Sequence, residues 1–392
     1  MQTFSNSVFE IWSGLVNRTG ENDMTLTNYW MQLIWLFTGG VFLAILFPRQ
    51  REVVLGKEEE RWKIIPAILL VLPYIFMATW RTNNFGDTYV YRKNFFNAPE
   101  HLNQMAQYVS EFTKDKGFHI LTVLIKSCLG NSDILYFFII AAFQIFIVAL
   151  VCRRLSCNYW LSIFIFIAST DYMSWVHNGM RQFVAVTIIF AATELIIRKK
   201  YFISVLLVLL AATMHGSALL MLPIIFIIQG KAWNKKTLLC ILASIVALIF
   251  IDKFTNVLDM LLTDTQYENV VSDWQTWNDD GTNPIRVLVY AVPTILGVVG
   301  YKYIKSADDP VINLGIGAGI ISTSLGLISM GTSGIFFGRL PIYVSMWSNM
   351  IVLPWEIDNM FTKESAQIIK VLAVVFYTLF FYYQMHFTWG LL

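Results

Sequence analysis

Arg81, Asp87, Arg92, Arg181, His215 and Arg339 each lie at the edge of long apolar runs or between them. A charged side chain at membrane depth costs about 2.5 to 3.5 kcal/mol on insertion scales, so a chain that keeps one there must turn it inward and compensate it. Arginine stays charged when desolvated and grips a phosphate through two parallel N–H bonds. Arg81, Arg181 and Arg339 fall at the same-side ends of three separate helices. They therefore predict a converging cationic site for a phosphate-bearing group, with the helix N-termini at Arg181 and Arg339 adding free amides. Snorkelling to the headgroups is the competing reading, and it explains one arginine more easily than three.

Asp87 sits in the run Asn83, Asn84, Phe85, Gly86, Asp87, Thr88, Tyr89, Val90, Tyr91, Arg92. Gly86 permits a tight turn, and a carboxylate among tyrosines is suited to taking a proton from a sugar hydroxyl. A salt bridge to Arg81 or Arg92, or a helix cap, would use the same carboxylate structurally. His215 lies between two apolar half-helices, where an imidazole serves as base, as diphosphate ligand or as a hydrogen-bonded structural group. Asn178 and Gln182 share one helix face with Arg181 at its border, a polar patch that a substrate or other helices must satisfy. Cys128, Cys152, Cys157 and Cys240 have no CxxC spacing, so unpaired thiols are expected and a metal site is not. No acidic pair marks a cation site and no Gly-rich phosphate loop is present, so no cofactor is expected.

These residues need a scaffold, and the composition says which. The chain has 392 residues and 45.0 kDa, is 56% hydrophobic and 14% charged, and has a mean hydropathy of +0.59. Soluble domains carry about 25% charged residues, so a soluble enzyme is excluded, as are intrinsic disorder and a disulfide scaffold. The basic residues lie in small groups between apolar runs rather than along one face, which gives no sign of nucleic-acid binding. An all-α, polytopic integral membrane protein remains, as one transmembrane domain over residues 1–392.

The first long run, 29–47, spans about 28 Å as a helix, close to the hydrocarbon thickness. The N-terminal region has a single basic residue, Arg18, so no cleavable signal is expected. Further runs at 64–79, 134–151, 159–175, 180–197, 201–213, 218–228, 237–251, 285–301, 311–330, 340–354 and 368–383 bring the expected number of helices to about twelve. They are expected to be helices because lipid leaves no water for unpaired backbone groups and the alternation of barrel strands is missing. With the N-terminus outside, most of the 28 Lys and Arg fall on the inner side: around Arg49 to Lys63, at Arg153 and Arg154, at Arg198 to Lys200, at Lys231 to Lys236, and at Lys302, Lys305, Lys363 and Lys370.

Two segments read ambiguously. Residues 119–129 are apolar but short and hold Lys126, so a re-entrant or interfacial helix is expected. Residues 201–228 form two halves meeting at Met214 to Ser217, either two short spans or a hairpin dipping into the membrane. Two long outer loops are expected. The loop 80–133 carries the Asp, Tyr and Arg motif. The loop 252–286 is acidic and aromatic, with Trp274, Trp277, Asp279, Asp280 and Gly281. Its rings and carboxylates suit sugar binding, and an interfacial tryptophan belt is the plainer reading.

The motifs together resemble the EpsG-like proteins, which belong with the Wzy-type polymerases of bacterial O-antigen and exopolysaccharide. The resemblance rests on Arg81 through Thr88, Tyr91 and Phe95; on Asn178, Gly179, Met180, Arg181, Gln182 and Ala185; on Arg198 to Lys200; and on Met214 to Ala218, with an echo at Arg339 to Tyr343. The family commonly shows an acidic residue, Pro and Gly before a Phe. Asp115, Lys116, Gly117 and Phe118 stand there, and the shorter acid and missing Pro argue against a catalytic role for Asp115.

The resemblance implies a metal-independent glycosyltransferase in the bacterial cytoplasmic membrane. It would join repeat units carried on undecaprenyl diphosphate, with its active site facing the periplasm or exterior and a chain-length-regulating co-polymerase as partner. In that reading Asp87 or His215 takes the acceptor proton. Arg81, Arg181 and Arg339 neutralise the diphosphate, and Tyr91, Arg92, Asn178 and Gln182 complete the substrate-binding set. Two readings stay open beside it: a flippase or transporter of lipid-linked sugars, and a glycosyltransferase using a lipid-phosphate sugar. Alternating access usually comes with two related halves, and none is evident.

Overall fold

The computed structural model describes residues 28–262 and 281–392. Trp274, Trp277, Asp279 and Asp280 of the expected sugar-binding loop lie outside the described residues.

The chain is almost wholly helical, in the order α1 (Trp30–Leu46), β1 (Gln50–Val54), β2 (Lys57–Arg61), α2 (Ile64–Thr79), α3 (Thr88–Asn97), α4 (Met105–Ser110), α5 (Lys116–Leu129), α6 (Asp133–Leu155), α7 (Tyr159–Ala168), α8 (Asp171–His177), α9 (Met180–Ala191), α10 (Thr193–Ile197) and α11 (Tyr201–Met214). After a 3-10 turn at Gly216–Leu220 come α12 (Met221–Ile227), α13 (Lys235–Ile249), α14 (Ile251–Leu262), α15 (Pro284–Val299), α16 (Tyr301–Ala307) and α17 (Pro310–Met330). A 3-10 turn at Phe337–Arg339 leads into α18 (Ile342–Met346), which runs through a π-helical stretch, Trp347–Val352, into α19 (Leu353–Asn359); α20 (Lys363–Tyr383) follows.

Among the described residues three helical stretches are long and apolar enough to cross a membrane: Asp133–Leu155, Pro310–Met330 and Lys363–Thr388. The pair Pro284–Val299 and Tyr301–Ala307 makes a fourth if its 75° bend lies within one span. The other apolar runs form shorter helices, among them Trp30–Leu46, Ile64–Thr79 and Tyr201–Met214. Large apolar side chains stand bare on the outside, such as Ile45, Phe202, Val299 and Leu379. Apolar surface on this scale needs lipid as its solvent, and the chain is membrane-embedded.

Two local departures from the sequence reading matter. The basic stretch after α1 is an antiparallel β-hairpin, Gln50↔Arg61 to Val54↔Lys57, turning at Leu55 and Gly56, both with positive φ. The charged strand sequence hid it, because the more covered face of β1 carries Gln50 and Glu52 beside Val54 and so shows no apolar alternation. The run 159–175 is broken at Thr170, whose φ is +60°, so that α7 ends and α8 starts with Asp171. Ser169, Thr170 and Asp171 are residues that favour helix starts, and here they outweigh the apolar context.

Ion pairs sort the ends of the helices onto two faces. On one, Glu52 of β1 pairs with Arg153 and Arg154, Glu194 with Arg154 and Arg198, Lys57 with Asp309, Lys231 with Asp308, and Lys370 with Asp358. These are the loops that charge bias assigns to the inner side. The far end of α6 begins at Asp133, which pairs with Arg92. The 23 residues of α6 hold these faces about 33 Å apart.

Candidate active site

On the Asp133 face, the turn joining α8 to α9 is the organising element. Gly179 is required there, because a Cβ would lie 1.9 Å from Trp175 Cε3. The loop before α3 presses onto this turn: Gly86 has φ +56°, and a Cβ on it would meet Asn178 Cβ at 2.6 Å. The close approach lets the Asp87 backbone N–H donate to Asn178 Oδ1 at 3.0 Å and the Tyr91 hydroxyl donate to the Asn178 carbonyl at 3.2 Å. Burial pushes the Tyr91 phenol up, against the lowering charge of Arg181, so it remains a donor.

Asp115 is the hub of the titratable groups. It precedes α5 with φ +53° and is 9% exposed. Its Oδ2 lies 2.9 Å from Arg181 Nη1 and 3.2 Å from His215 Nδ1, and Oδ1 accepts the Gly216 N–H at 3.3 Å. The contact depends on Gly117, where a Cβ would fall 2.2 Å from Thr213 Oγ1 near the end of α11. Burial works to raise the Asp115 pKa. The His215 bond, the charges of His215 and Arg181 and the Gly216 amide outweigh it and hold the carboxyl below its ordinary value. A histidine anchored through Nδ1 by a carboxylate presents Nε2 to whatever binds beside it. Asp87 stands exposed near this group, with no ion pair among the described residues.

Arg339 enters a different space. A cavity of about 390 Å³ is lined by Asp171, Trp175, Asn178, Arg286, Arg339 and Trp389, among others. Arg286 Nε is held by Asp171 Oδ2 at 2.7 Å, and its terminal nitrogens make no other hydrogen bond among the described residues. The Arg339 side chain is exposed and without a carboxylate partner among them. Gln182 Nε2 donates to the Arg339 carbonyl at 3.0 Å, which ties the cavity wall to the residue after Arg181.

The expected convergence of Arg81, Arg181 and Arg339 does not occur. Neither Arg81 nor Arg181 lines the Arg339 cavity. Arg81 is 1% exposed, bonds the carbonyls of Ala78 and Val176, and lies 4.5 Å from the Phe137 ring centroid, bracing α2 against α6 and α8. Arg92 pairs with Asp133 at 2.6 Å, bonds Asn83 and also faces Phe137. Helix spacing showed that these arginines lie at helix ends, but not which way they turn. Sequence reasoning set Asp115 aside and did not single out Asp171 or Arg286. The helix-start signatures Ser169–Thr170–Asp171 and Asn283–Pro284 were the available signals. Among the described residues no group of three His, Cys, Asp or Glu side chains is placed to hold a metal ion.

The fold and these two neighbouring sites define a helical membrane protein with an acid–base cluster beside a cationic cavity. The family model of the EpsG family matches residues 64–389, and the chain belongs to that family. Membership points to a role of the polysaccharide-polymerase kind. No curated protein and no solved structure matches the chain.

Proposed function

We propose that the chain is a glycosyltransferase that polymerises undecaprenyl-diphosphate-linked repeat units into O-antigen or exopolysaccharide on the outer face of the bacterial cytoplasmic membrane. The observation that carries this is Asp115 binding Arg181 and His215 together, at the face opposite the basic loops and next to the Arg286 and Arg339 cavity. The hydroxyl of an incoming unit attacks the anomeric carbon of the growing chain. The bond from that carbon to the diphosphate breaks, and the electron pair leaves with the diphosphate. His215 takes the hydroxyl proton through Nε2, with Asp115 fixing the ring, and Asp87 is the second candidate base. Arg339 and Arg286 neutralise the departing diphosphate, and Arg181 supports the charge at Asp115. The leaving group is supplied by the substrate, so the chemistry needs neither a nucleotide nor a metal. In this reading the apolar runs make about twelve crossings, the shorter helices crossing in part.

The test is reconstitution. Purified protein given lipid-linked repeat units should produce a ladder of longer glycans; movement of the units across liposomes without lengthening would make it a flippase instead.

A further inference from the structure

A second recess on the same face is used by none of these steps. Its volume is about 530 Å³, and it is walled by Asn94, Asn97, Gln104, Gln107, Tyr108, Glu111 and Phe112, with Pro99 at its edge. Among the described residues no Lys or Arg lines it. The four amide side chains make no hydrogen bond to protein among the described residues, and each is exposed.

The recess is held in shape from behind. Lys126 is 3% exposed and donates to the carbonyls of Phe95, Phe96 and Ala98 at 3.1, 2.8 and 2.6 Å, closing the C-terminal end of α3 beneath Asn94 and Asn97. A lysine is sunk in this way only where its three donors are all met. The Phe112 ring stacks on His119 at 3.6 Å, with Tyr108 edge-on to the same imidazole. The His119 backbone N–H in turn bonds the Asp115 backbone carbonyl at the start of α5. One aromatic stack therefore separates the recess from the Asp115 cluster.

Free amides beside half-buried rings, with one carboxylate and no described cation in the wall, match a polyhydroxyl ligand. Amides bond adjacent hydroxyls, rings cover the apolar faces of sugars, and nothing present attracts a phosphate. We propose that this recess is a glycan-binding subsite that holds the growing chain as it leaves the reaction centre. This rests on the polymerase reading, in which the donor chain runs from its reacting end out into water while the acceptor's lipid keeps its other end in the membrane. The exposed position on α3 and α4 suits the first of these.

Two exposed variants, Asn97→Ala and Gln104→Ala, leave no buried group unsatisfied. They are compared with the unchanged protein for binding of glycan cut by mild acid from the polysaccharide of the source cells, and for binding of undecaprenyl diphosphate. The double variant should bind the glycan at least tenfold more weakly and the lipid diphosphate equally well, and its ladder should shift to short products. Glycan binding equal to that of the unchanged protein, absence of glycan binding by the unchanged protein, or equal loss of both ligands would overturn the subsite. Glycan binding that depends on the recess, without any ladder, would retain the subsite and remove the polymerase reading.

Discussion

Asp115 stands between Arg181 and His215 and touches both, at 2.9 and 3.2 Å, so the state of one carboxylate sets the position of a cation and of an imidazole at once. Asp115→Asn keeps the shape and removes the charge. General acid–base catalysis contributes about 10²- to 10⁴-fold, and kcat for ladder formation should fall within that range with little change in KM. His215→Ala should lose as much, and the double variant little more, because the two act as a unit. Asp87→Asn should retain most of the rate. If Asp87→Asn is the inactive variant and His215→Ala is active, the base is Asp87.

The same carboxylate makes stability depend on pH in one direction. Its pKa is lowered on folding, so the stabilisation is complete above the unfolded value of about 3.9 and is lost as the pH falls through the lower folded value. Thermal unfolding in detergent should show the Asp115→Asn deficit in full at pH 5 and shrinking below about pH 4. A deficit that grows below about pH 4 would mean that the carboxyl is not held ionised by Arg181 and His215.

The sequence carried the membrane class, the almost wholly helical structure and the two-faced charge pattern, because hydropathy and basic loops act locally along the chain; it did not carry the breaks, as at Thr170, that divide several of the runs. It also carried the Gly86 and Asn178 motifs, whose close contact explains their residue types. It did not carry side-chain direction. Arg81 and Arg339 both stand at helix ends between apolar runs, yet one is sealed against Phe137 and the other opens into a cavity. Nor did it carry long-range partners: Asp171 and Arg286 are 115 residues apart and meet only because α8 and α15 do. Asp115 was set aside on a local comparison, whereas its importance comes from α9 and the turn after α11.

Arg286 offers a test of the cavity that is independent of the base. If its terminal nitrogens meet the diphosphate, Arg286→Gln removes hydrogen bonds to a charged group worth about 1.5 to 3 kcal/mol, a tenfold to hundredfold weakening of donor binding. Arg286→Lys should recover only part of this, since lysine lacks the planar fork. Asp171→Asn removes the charge from the 2.7 Å contact that orients Arg286 and should raise KM for the donor more than it lowers kcat. Equal donor affinity in all three, measured with undecaprenyl diphosphate in detergent, would remove Arg286 from the binding set.

Gly86→Ala probes how the α3 loop and the α8–α9 turn hold the site. An alanine at φ +56° costs about 1 to 2 kcal/mol in backbone strain, and its methyl would lie 2.6 Å from Asn178 Cβ. Asn178 must then move, carrying the Asp87 amide and Tyr91 hydroxyl with it. The melting temperature should fall by a few degrees, at about 2 to 4 °C per kcal/mol for a chain above 150 residues. Ladder formation should fall much further. Adding Asn178→Gly removes the clash and keeps the backbone carbonyl that accepts from Tyr91, but not the Oδ1 that accepts from the Asp87 N–H, so the double variant should regain part of its melting temperature and little of its rate. Recovery of both together would show that the Asn178 side chain only fills space and that Asp87 is positioned by something else.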